Sequence, residues 1–331
     1  MTEPSGARRA VSRGVTPPGI AALGVDIGGT KIVAAVLRPD GTTGPEARAA
    51  TPAAEGPRAV LDAAIAAGRA AIAQAGCPAP SVCGVGTAGT VGPGGVIGHA
   101  TDSLPGWTGT GVAAAFSGAL NLPVTVLNDV HAAAAGESAC GAARGYDDAL
   151  VVYVGTGIGG GLICGGQLRT GRTSSAGAVG HLPAPRAAGR RCGCGELDHL
   201  EAYASGPAIV ASYLEHARST VTDTTADAPV GLPEIAALAR SGDAVARLAI
   251  EQAAEVLGAV LGGLANVLDP DVVVIGGGVA ALADLLIEPV SREFRDRALP
   301  GPATCDLAFS TLGPLAVVIG AARAAALDGN G

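Results

Sequence analysis

Two histidines and two cysteines lie close together in GHLPAPRAAGRRCGCGELDHLE, residues 180–201. His181, Cys192, Cys194 and His199 offer four nitrogen or sulfur ligands, and the glycines between them allow the chain to wrap around an ion. Structural zinc takes four such ligands in a tetrahedral arrangement, which leaves no open position for a reactive water. The pattern predicts a structural Zn²⁺ site. A catalytic centre and a polar loop that carries thiols both remain open from the spacing alone.

Three glycine-rich turns each follow an apolar run, at 26–31 (DIGGTK), 155–161 (GTGIGGG) and 275–280 (IGGGVA). An apolar strand follows the first turn directly, so this turn is neither a Walker loop nor a dinucleotide-binding turn that opens a helix. Glycines in such a hairpin let backbone N–H groups approach a phosphate. In the third turn, a side chain would block an adenosine. The predicted nucleotide-binding residues are Asp26, Gly28, Gly29, Thr30, Lys31, Gly155, Thr156, Gly157, Gly276, Gly277 and Gly278.

Polar side chains in the first two turns add specific chemistry. Thr30 and Thr156 offer hydroxyl groups, and Lys31 offers a positive charge. Asp26 offers a carboxylate that could hold a hydrated Mg²⁺, because Mg²⁺ prefers oxygen ligands. Taken alone, the first turn also fits a purely structural hairpin, but three such turns in this order are hard to explain as coincidence.

Another carboxylate stands where a predicted strand, PVTVLN at 123–128, runs into a predicted helix. Asp129 at this point could accept a proton from a hydroxyl group while a phosphoryl group is held in line with it. From the residues alone, a helix cap is an equal alternative, because Asp favours that position as well.

The composition bounds the class of protein. Of the 331 residues 48% are apolar and 15% are charged, which predicts a sizeable core, and the net charge of −8 argues against a protein that grips nucleic acid. No uninterrupted apolar run reaches the ~20 residues of a membrane helix. Seven cysteines without a secretory segment favour a reducing cytoplasm, and residues 1–19 are expected to be a disordered tail. Five single cysteines are predicted to be reduced core residues: Cys77, Cys83, Cys140, Cys164 and Cys305.

Apolar runs and turn residues predict alternating strands and helices, and hence an α/β architecture. The strand, glycine turn and strand of 20–37 recur at 148–168, which indicates two similar halves facing one cleft. Helices are predicted near 57–75, from Asp129, near 243–267 and at the C-terminus, and further strands within 81–92, at 123–128 and at the start of 271–280.

Together, DIGGTK, NDV, GTGIGGG, GH…CGCG…E and IGGGV resemble the ROK family of sugar kinases and related repressors, which have the actin-like ATPase (ribonuclease H-like) fold. The resemblance runs from about residue 22 to 326. It implies two domains around a cleft, with ATP-Mg²⁺ between the glycine turns and phosphoryl transfer to a hexose, usually at the 6-hydroxyl. We expect an N-terminal domain over 20–125 completed by helix 313–328, and a C-terminal domain over 126–312 with the zinc loop at 181–201.

The resemblance also implies roles for individual residues. It makes Asp129 the catalytic base and Asn128 a sugar ligand. It gives Glu201 contacts to sugar hydroxyls, and it gives His181 contacts to both metal and sugar. The family's third zinc cysteine is replaced by His199, so the site is expected to be His₂Cys₂.

Two positions depart from the family pattern. Ala178 stands in GAVGH where the family has a sugar-binding Glu, and Ser103, preceded by Asp102, stands in SLPGW where it has an Asn. Losing a polar partner relaxes or redirects specificity. Glucose remains one expected acceptor, and the changes favour an amino sugar (kanosamine or a hexosamine) or a C7-cyclitol.

The main alternative function is a ROK-type sugar-sensing transcriptional regulator. Only about 20 residues precede the first glycine turn, which is too short for a helix-turn-helix module. An ATP-dependent sugar kinase is therefore favoured, with a homodimer expected as one option. A donor other than ATP stays open.

Overall fold

The computed structural model describes residues 19–100, 103–186, 188–220 and 231–329. Its strands are β1 (Ala22–Ile27), β2 (Lys31–Leu37), β3 (Ala47–Ala50), β4 (Val82–Thr87), β5 (Thr90–Val91), β6 (Ile97–His99), β7 (Val124–Asn128), β8 (Ala149–Val154), β9 (Ile158–Cys164), β10 (Gln167–Arg169), β11 (Val272–Gly276) and β12 (Asp306–Phe309). Its α-helices are α1 (Pro57–Gln74), α2 (Val112–Leu120), α3 (Asp129–Cys140), α4 (Glu201–Ala204), α5 (Gly206–Thr220), α6 (Leu232–Ser241), α7 (Ala244–Leu268), α8 (Ala283–Arg297) and α9 (Ala316–Asp328).

Two five-stranded sheets share one topology. The N-terminal sheet has the order β3-β2-β1-β4-β7, and the C-terminal sheet has the order β10-β9-β8-β11-β12. In each sheet, an antiparallel hairpin closed by a glycine turn pairs through its first strand with a parallel strand. The strands are almost wholly apolar because both faces of each sheet are covered. The predicted repeat of strand, glycine turn and strand is confirmed.

Helices cover the sheets and form a separate core on each. In the N-terminal half, α1 packs on β1, β2 and β3, and Trp107 and Phe116 are fully buried in that core. In the C-terminal half, α7 packs between α5, α6 and α8, with Leu257 and Phe294 among its buried residues. The C-terminal helix α9 returns to the N-terminal sheet and packs on β1 and β4.

Helices α3 and α9 cross in close contact. An added Cβ at Gly320 would lie 1.7 Å from the carbonyl oxygen of Ala132, and one at Gly136 would lie 2.3 Å from that of Ala316. Only glycine permits this approach. Because α3 also packs on β8 and β9, the crossing fixes α3, which begins at Asp129, against both sheets.

Among the described residues, α7 is the one helix whose length and apolar composition would allow it to cross a membrane. In the most apolar window of this helix, 61% of the residues are buried inside the protein. Packing against α5, α6 and α8 therefore accounts for its apolar character.

The predicted elements agree with the structure, with one correction among the cysteines. Cys83 is buried, but Cys140 is exposed because it lies in the last turn of α3, so its assignment to the core was wrong. Cys77, Cys164 and Cys305 are half-buried. The predicted tail lies almost wholly outside the described residues, which begin at Gly19.

Candidate active site and metal centre

The junction of β7 and α3 carries Asn128 and Asp129. Asn128 caps α3, since its Oδ1 accepts hydrogen bonds from the backbone N–H groups of Val130 (3.0 Å) and His131 (3.3 Å). Its Nδ2 donates to the carbonyl oxygen of Gly89 at 3.1 Å. The capping role considered for Asp129 therefore belongs mainly to Asn128. Asp129 Oδ1 also accepts from Val130 N–H at 2.9 Å.

Asp26 and Asp129 lie at the same edge of the N-terminal sheet. Asp26 pairs in register with Gly86 on β4, and Gly86 pairs with Leu127 on β7, two residues before Asp129. Burial, then the negative charge of Asp129, raises the pKa of Asp26 to about 7, and Lys31 partly offsets these effects. Burial raises the pKa of Asp129 to about 6, against hydrogen bonds that favour its charged form. Two carboxylates with raised pKa values at the carboxyl ends of strands in one sheet are typical of a functional site.

The first glycine turn is held by residues from elsewhere in the chain. The Gly28 N–H donates to the carbonyl oxygen of Lys31 at 3.1 Å. The Thr51 hydroxyl donates to the carbonyl oxygen of Gly28 at 2.7 Å. The SLPGW loop lies against this turn, because an added Cβ at Gly29 would lie 2.9 Å from the carbonyl oxygen of Ser103. Trp107 anchors that loop by donating from Nε1 to Thr87 Oγ1 at 3.0 Å. Thr51 carries no sequence signal that would have identified it.

The second and third glycine turns border a cavity of about 590 Å³. Gly155 and Thr156 of the second turn, and Gly278 of the third, line one side of it. The remaining wall is mostly apolar and comes from α5 and α6: Gly206, Pro207, Val210, Ala211, Leu214 and Leu232. An apolar cleft beside glycine turns suits a nucleotide, with the base on the wall and the phosphates on the turns.

The four predicted metal ligands converge. One ligand atom from each of His181, Cys192, Cys194 and His199 lies within 4.8 Å of all the others. His181 Nδ1 is 3.7 Å from Cys192 Sγ, and His199 Nδ1 is 3.2 Å from Cys194 Sγ. With zinc bonds of about 2.0 Å to nitrogen and 2.3 Å to sulfur, the edges of a tetrahedral site are about 3.3–3.8 Å. These donors fit a structural Zn²⁺.

Glu201 lies between the metal ligands and the second glycine turn. Its Oε1 is 3.5 Å from Cys192 Sγ, and its Oε2 accepts a hydrogen bond of 2.8 Å from the backbone N–H of Ile158. An added Cβ at Gly157 would lie 2.6 Å from Oε2. The sequence identified Glu201 only through the family resemblance, and the link to Ile158 depends on the fold.

The loop that leads to Ala178 is tied to α3. His131 is buried, and its Nε2 lies 2.7 Å from the carbonyl oxygen of Ala176, so this nitrogen carries the donated proton. Burial lowers the pKa of His131, against its hydrogen bond to Ala176, and so favours the neutral ring. Ala178 and Ser103 are both exposed. Asp102, predicted as a substrate ligand, lies outside the described residues.

A two-sheet α/β fold, paired carboxylates at one sheet edge and glycine turns around an apolar cleft define an actin-like ATPase. The sequence matches the ROK family over residues 22–327. It is 32% identical over 311 residues to the glucokinase of Streptomyces coelicolor, covering 91% of this chain and 96% of that protein. It is 34% identical over 221 residues to an N-acetyl-D-glucosamine kinase of Escherichia coli, covering 61% of this chain and 70% of that protein.

A solved structure agrees with the sequence relatives. The ROK family glucokinase from Streptomyces griseus, in complex with glucose and AMPPNP, has a TM-score of 0.78 to this chain at 33% identity, and the match covers 92% of this chain and 99% of that one. The chain therefore belongs to the ROK family. Its identification as a ROK family sugar kinase with the two-domain actin-like fold is confirmed.

Proposed function

We propose that this ATP-dependent sugar kinase transfers the γ-phosphoryl group of ATP to the primary 6-hydroxyl of a hexose or a hexose-like substrate. The observation that carries the proposal is the pair Asp26 and Asp129, at the carboxyl ends of β1 and β7 on either side of β4, both with raised pKa values. Phosphoryl transfer needs a base for the acceptor and a charged group for the metal, and this pair offers both.

Asp129 is proposed as the general base. A carboxylate with a pKa of about 6 is ionised at neutral pH, yet basic enough to accept the proton of the attacking hydroxyl. Its position at the start of α3, beside the capping residue Asn128, holds it in a fixed orientation. Asn128 Oδ1 and Nδ2 already have protein partners, so its sugar contact would use a remaining lone pair or N–H.

ATP is proposed to lie across the glycine turns. The apolar wall of α5 and α6 would take the adenine. The backbone N–H of Gly157 and the hydroxyl of Thr156 would face the phosphates, because the N–H of Gly155 already donates to the carbonyl oxygen of Gly157 at 2.8 Å. Asp26 would hold Mg²⁺, directly or through water, because its carboxylate is an oxygen ligand close to the base. Bound Mg²⁺ would neutralise charge on the phosphates. Lys31 is exposed at the first turn and adds positive charge there.

Structural zinc is proposed at the His₂Cys₂ cluster. The bound ion would fix the loop between His181 and His199 and, through it, place Glu201 and His181 at the sugar pocket. The supporting observation is the convergence of four nitrogen and sulfur donors from one loop. This role needs no open coordination position.

The acceptor is proposed to be an amino sugar (kanosamine or a hexosamine) or a C7-cyclitol, with glucose as the competing acceptor. Ala178 has a methyl group where the family has a carboxylate, so it cannot accept hydrogen bonds from two vicinal hydroxyls. The missing carboxylate also leaves room for a substituent on the ring. A relative named N-acetyl-D-glucosamine kinase supports an amino sugar, and one named glucokinase supports glucose.

The test measures sugar phosphate and ADP separately, with ATP-Mg²⁺ and a panel of acceptors. The panel holds glucose, mannose, glucosamine, N-acetylglucosamine, N-acetylmannosamine, 3-amino-3-deoxyglucose and C7-cyclitols. Asp129→Asn, which keeps the shape and removes the base, is expected to lower kcat by about 10³-fold or more. Ala178→Glu restores the family residue and is expected to shift kcat/KM toward glucose by about 10-fold to 100-fold.

Two outcomes would contradict the proposal. Strong glucose turnover by the unchanged protein, insensitive to Ala178→Glu, would make it a glucokinase. Sugar binding without any turnover that depends on Asp129 would favour a sugar-sensing regulator instead.

The remaining proposals concern the setting of the enzyme. We propose domain boundaries at 20–125 with helix 313–328, and at 126–312. We also propose a cytoplasmic location, no nucleic-acid or membrane partner, and a homodimer as an option. Size-exclusion chromatography with light scattering would test the oligomeric state.

A further inference from the structure

A buried glutamate that the proposed chemistry does not use lies on the helix that carries Asp129. Glu137 is fully buried, two turns after Asp129 on α3. Its carboxylate accepts hydrogen bonds from the Tyr153 hydroxyl (3.0 Å), from the Ala142 backbone N–H (2.7 Å) and from the Ser310 hydroxyl. Burying a carboxylate is costly unless donors satisfy it, and here three donors from three parts of the chain converge on it.

Two of these donors stand beside the glycine turns proposed to hold ATP. Tyr153 is the next-to-last residue of β8 and precedes Gly155 by two residues, and its ring lies directly on the third turn. An added Cβ at Gly276 would lie 2.5 Å from Tyr153 Cε2. The backbone N–H of Ser310 donates to the carbonyl oxygen of Ile275 at 2.8 Å, one residue before Gly276.

We propose that Glu137 is a positioning residue that sets the base on α3 against the second and third glycine turns, which are proposed to hold ATP. The chain of contacts runs from α3 through the Glu137 carboxylate to Tyr153 and Ser310, and from these to Gly276. In-line transfer needs the acceptor hydroxyl and the γ-phosphoryl group aligned at once, and a misplacement of about 1 Å can cost about 100-fold in rate. The inference rests on the proposed function, because it takes Asp129 as the base and the turns as the ATP site.

A purely structural role is the competing explanation. Glu137 also stabilises the C-terminal end of α3. Its Oε2 accepts a hydrogen bond from the Ala142 N–H, and its backbone carbonyl oxygen accepts one from the Gly141 N–H at 3.0 Å. Loss of that contact alone would lower stability and leave the aligned geometry of the active protein intact. The two roles therefore differ in kcat and not in the melting temperature.

The test compares Glu137→Gln, Tyr153→Phe, Ser310→Ala and the double variant of Glu137→Gln with Tyr153→Phe. For each, kcat, both KM values, the melting temperature and the ratio of ADP to sugar phosphate are measured. Glu137→Gln is expected to lower kcat about 10-fold to 100-fold with KM values within about threefold, since a transition-state alignment is lost. The ratio of ADP to sugar phosphate should rise above that of the unchanged protein, because water needs no aligned sugar. The double variant should lose little more than Glu137→Gln alone.

Leu257→Ala in the buried face of α7 is the matched control for destabilisation away from this network. Normal kcat and a normal product ratio in Glu137→Gln, with a melting temperature lowered as in Leu257→Ala, would overturn the proposal. If Glu137→Gln does not fold, Tyr153→Phe and Ser310→Ala, which each remove a single hydroxyl, decide by the same readouts. Full turnover by Asp129→Asn would instead overturn the proposed function. If Asp129→Asn is inactive but Glu137→Gln, Tyr153→Phe and Ser310→Ala turn over normally, only this inference is overturned.

Discussion

The two glycine-turn hairpins have the same backbone arrangement but different side chains at one equivalent position. Asp26 is the next-to-last residue of β1, and Tyr153 is the next-to-last residue of β8. Each pairs in register with a glycine on the parallel neighbour, Gly86 for Asp26 and Gly276 for Tyr153. The first position therefore carries a charge close to Asp129, whereas the second carries a phenol that binds Glu137.

This difference indicates that the two hairpins of the repeated fold have different functions. The repeat provides two glycine turns, and in each the N–H of the first glycine closes the turn: Gly28 donates to the carbonyl oxygen of Lys31 and Gly155 to that of Gly157. A single side chain in each strand then differs: a carboxylate, proposed as a metal ligand, in β1, and a phenol that binds Glu137 in β8. The N-terminal hairpin is proposed to hold Mg²⁺, and the C-terminal one to hold ATP in a fixed position relative to the base.

Of the changes that distinguish the two hairpins, Asp26→Asn is expected to have the largest effect. Removing the charge should weaken Mg²⁺ binding and lower kcat/KM by about 10²-fold to 10³-fold, because the metal stabilises charge on the transferring group. The variant should also melt at a higher temperature near neutral pH without Mg²⁺, since burial disfavours the ionised Asp26. Kinetics at varied Mg²⁺ and thermal melts measure both effects.

Tyr153→Phe, at the equivalent position, is the comparison for Asp26→Asn. It keeps the ring on Gly276 and should not change the dependence of the rate on Mg²⁺. Equal Mg²⁺ dependence in both variants would contradict the proposal that the N-terminal hairpin, and not the C-terminal one, holds Mg²⁺.

Metal removal is expected to affect the C-terminal hairpin only. Within the part of the chain that the structure describes, Glu201 links the His₂Cys₂ cluster to this hairpin through the backbone N–H of Ile158. One Zn²⁺ per chain is expected, and its loss to a chelator, or the change Cys192→Ser, should lower the free energy of unfolding by about 3 kcal/mol at a free metal concentration of about 100 times Kd. Elemental analysis and thermal melts with and without chelator check this.

Cys140→Ser serves as the control for the metal experiment, because Cys140 is an exposed thiol outside the cluster. It should keep the metal content and the melting temperature. A chain that binds no zinc, or whose stability ignores the chelator, would contradict the structural zinc site.

Two glycines of the third turn are expected to respond differently to alanine. Gly276→Ala should cost about 1–3 kcal/mol of stability, because its methyl group would lie 2.5 Å from the Tyr153 ring. Gly278→Ala meets no atom within 4 Å, so it should keep its stability and raise KM for ATP several-fold if this residue borders the nucleotide. Equal melting temperatures for the two variants would contradict the packing of Tyr153 on Gly276.

The smallest effect, a gradual one, is expected from pH. The pKa values of Asp26 (about 7) and Asp129 (about 6) lie above the usual 3.8, so the fold favours their protonated forms. Their contribution to stability is therefore present below about pH 4 and is lost as the pH rises through about 6–7. Between about pH 7 and 5, the Mg²⁺-free protein should gain stability from these groups while kcat/KM falls, because both must be ionised to act.

The measurement is the slope of melting temperature against pH for the unchanged protein and for Asp26→Asn. The difference between the two slopes gives the contribution of Asp26 to stability. The variant should lose the part of the slope that Asp26 provides. Identical slopes in both proteins would contradict the raised pKa of Asp26.

The sequence by itself determined the local features of this protein. It located both glycine-turn hairpins, the strand that ends at Asn128, the helix that starts at Asp129 and the ligands of the His₂Cys₂ cluster. These features depend on residues close together in the chain, where alternation of apolar residues, glycines and ligand spacing report the structure directly. The family resemblance added the roles of residues whose own spacing left alternatives open.

Only the tertiary structure decided which distant residues meet. The Glu137 contacts to Tyr153 and Ser310 span 16 and 173 residues, and the contact of Glu201 with Ile158 spans 43. Such contacts follow from strand order and from the crossing of α3 with α9, which no local pattern encodes. For the same reason, the sequence could mark three glycine turns, but only the fold distinguished the glycines packed against other residues from those that face the proposed nucleotide cleft.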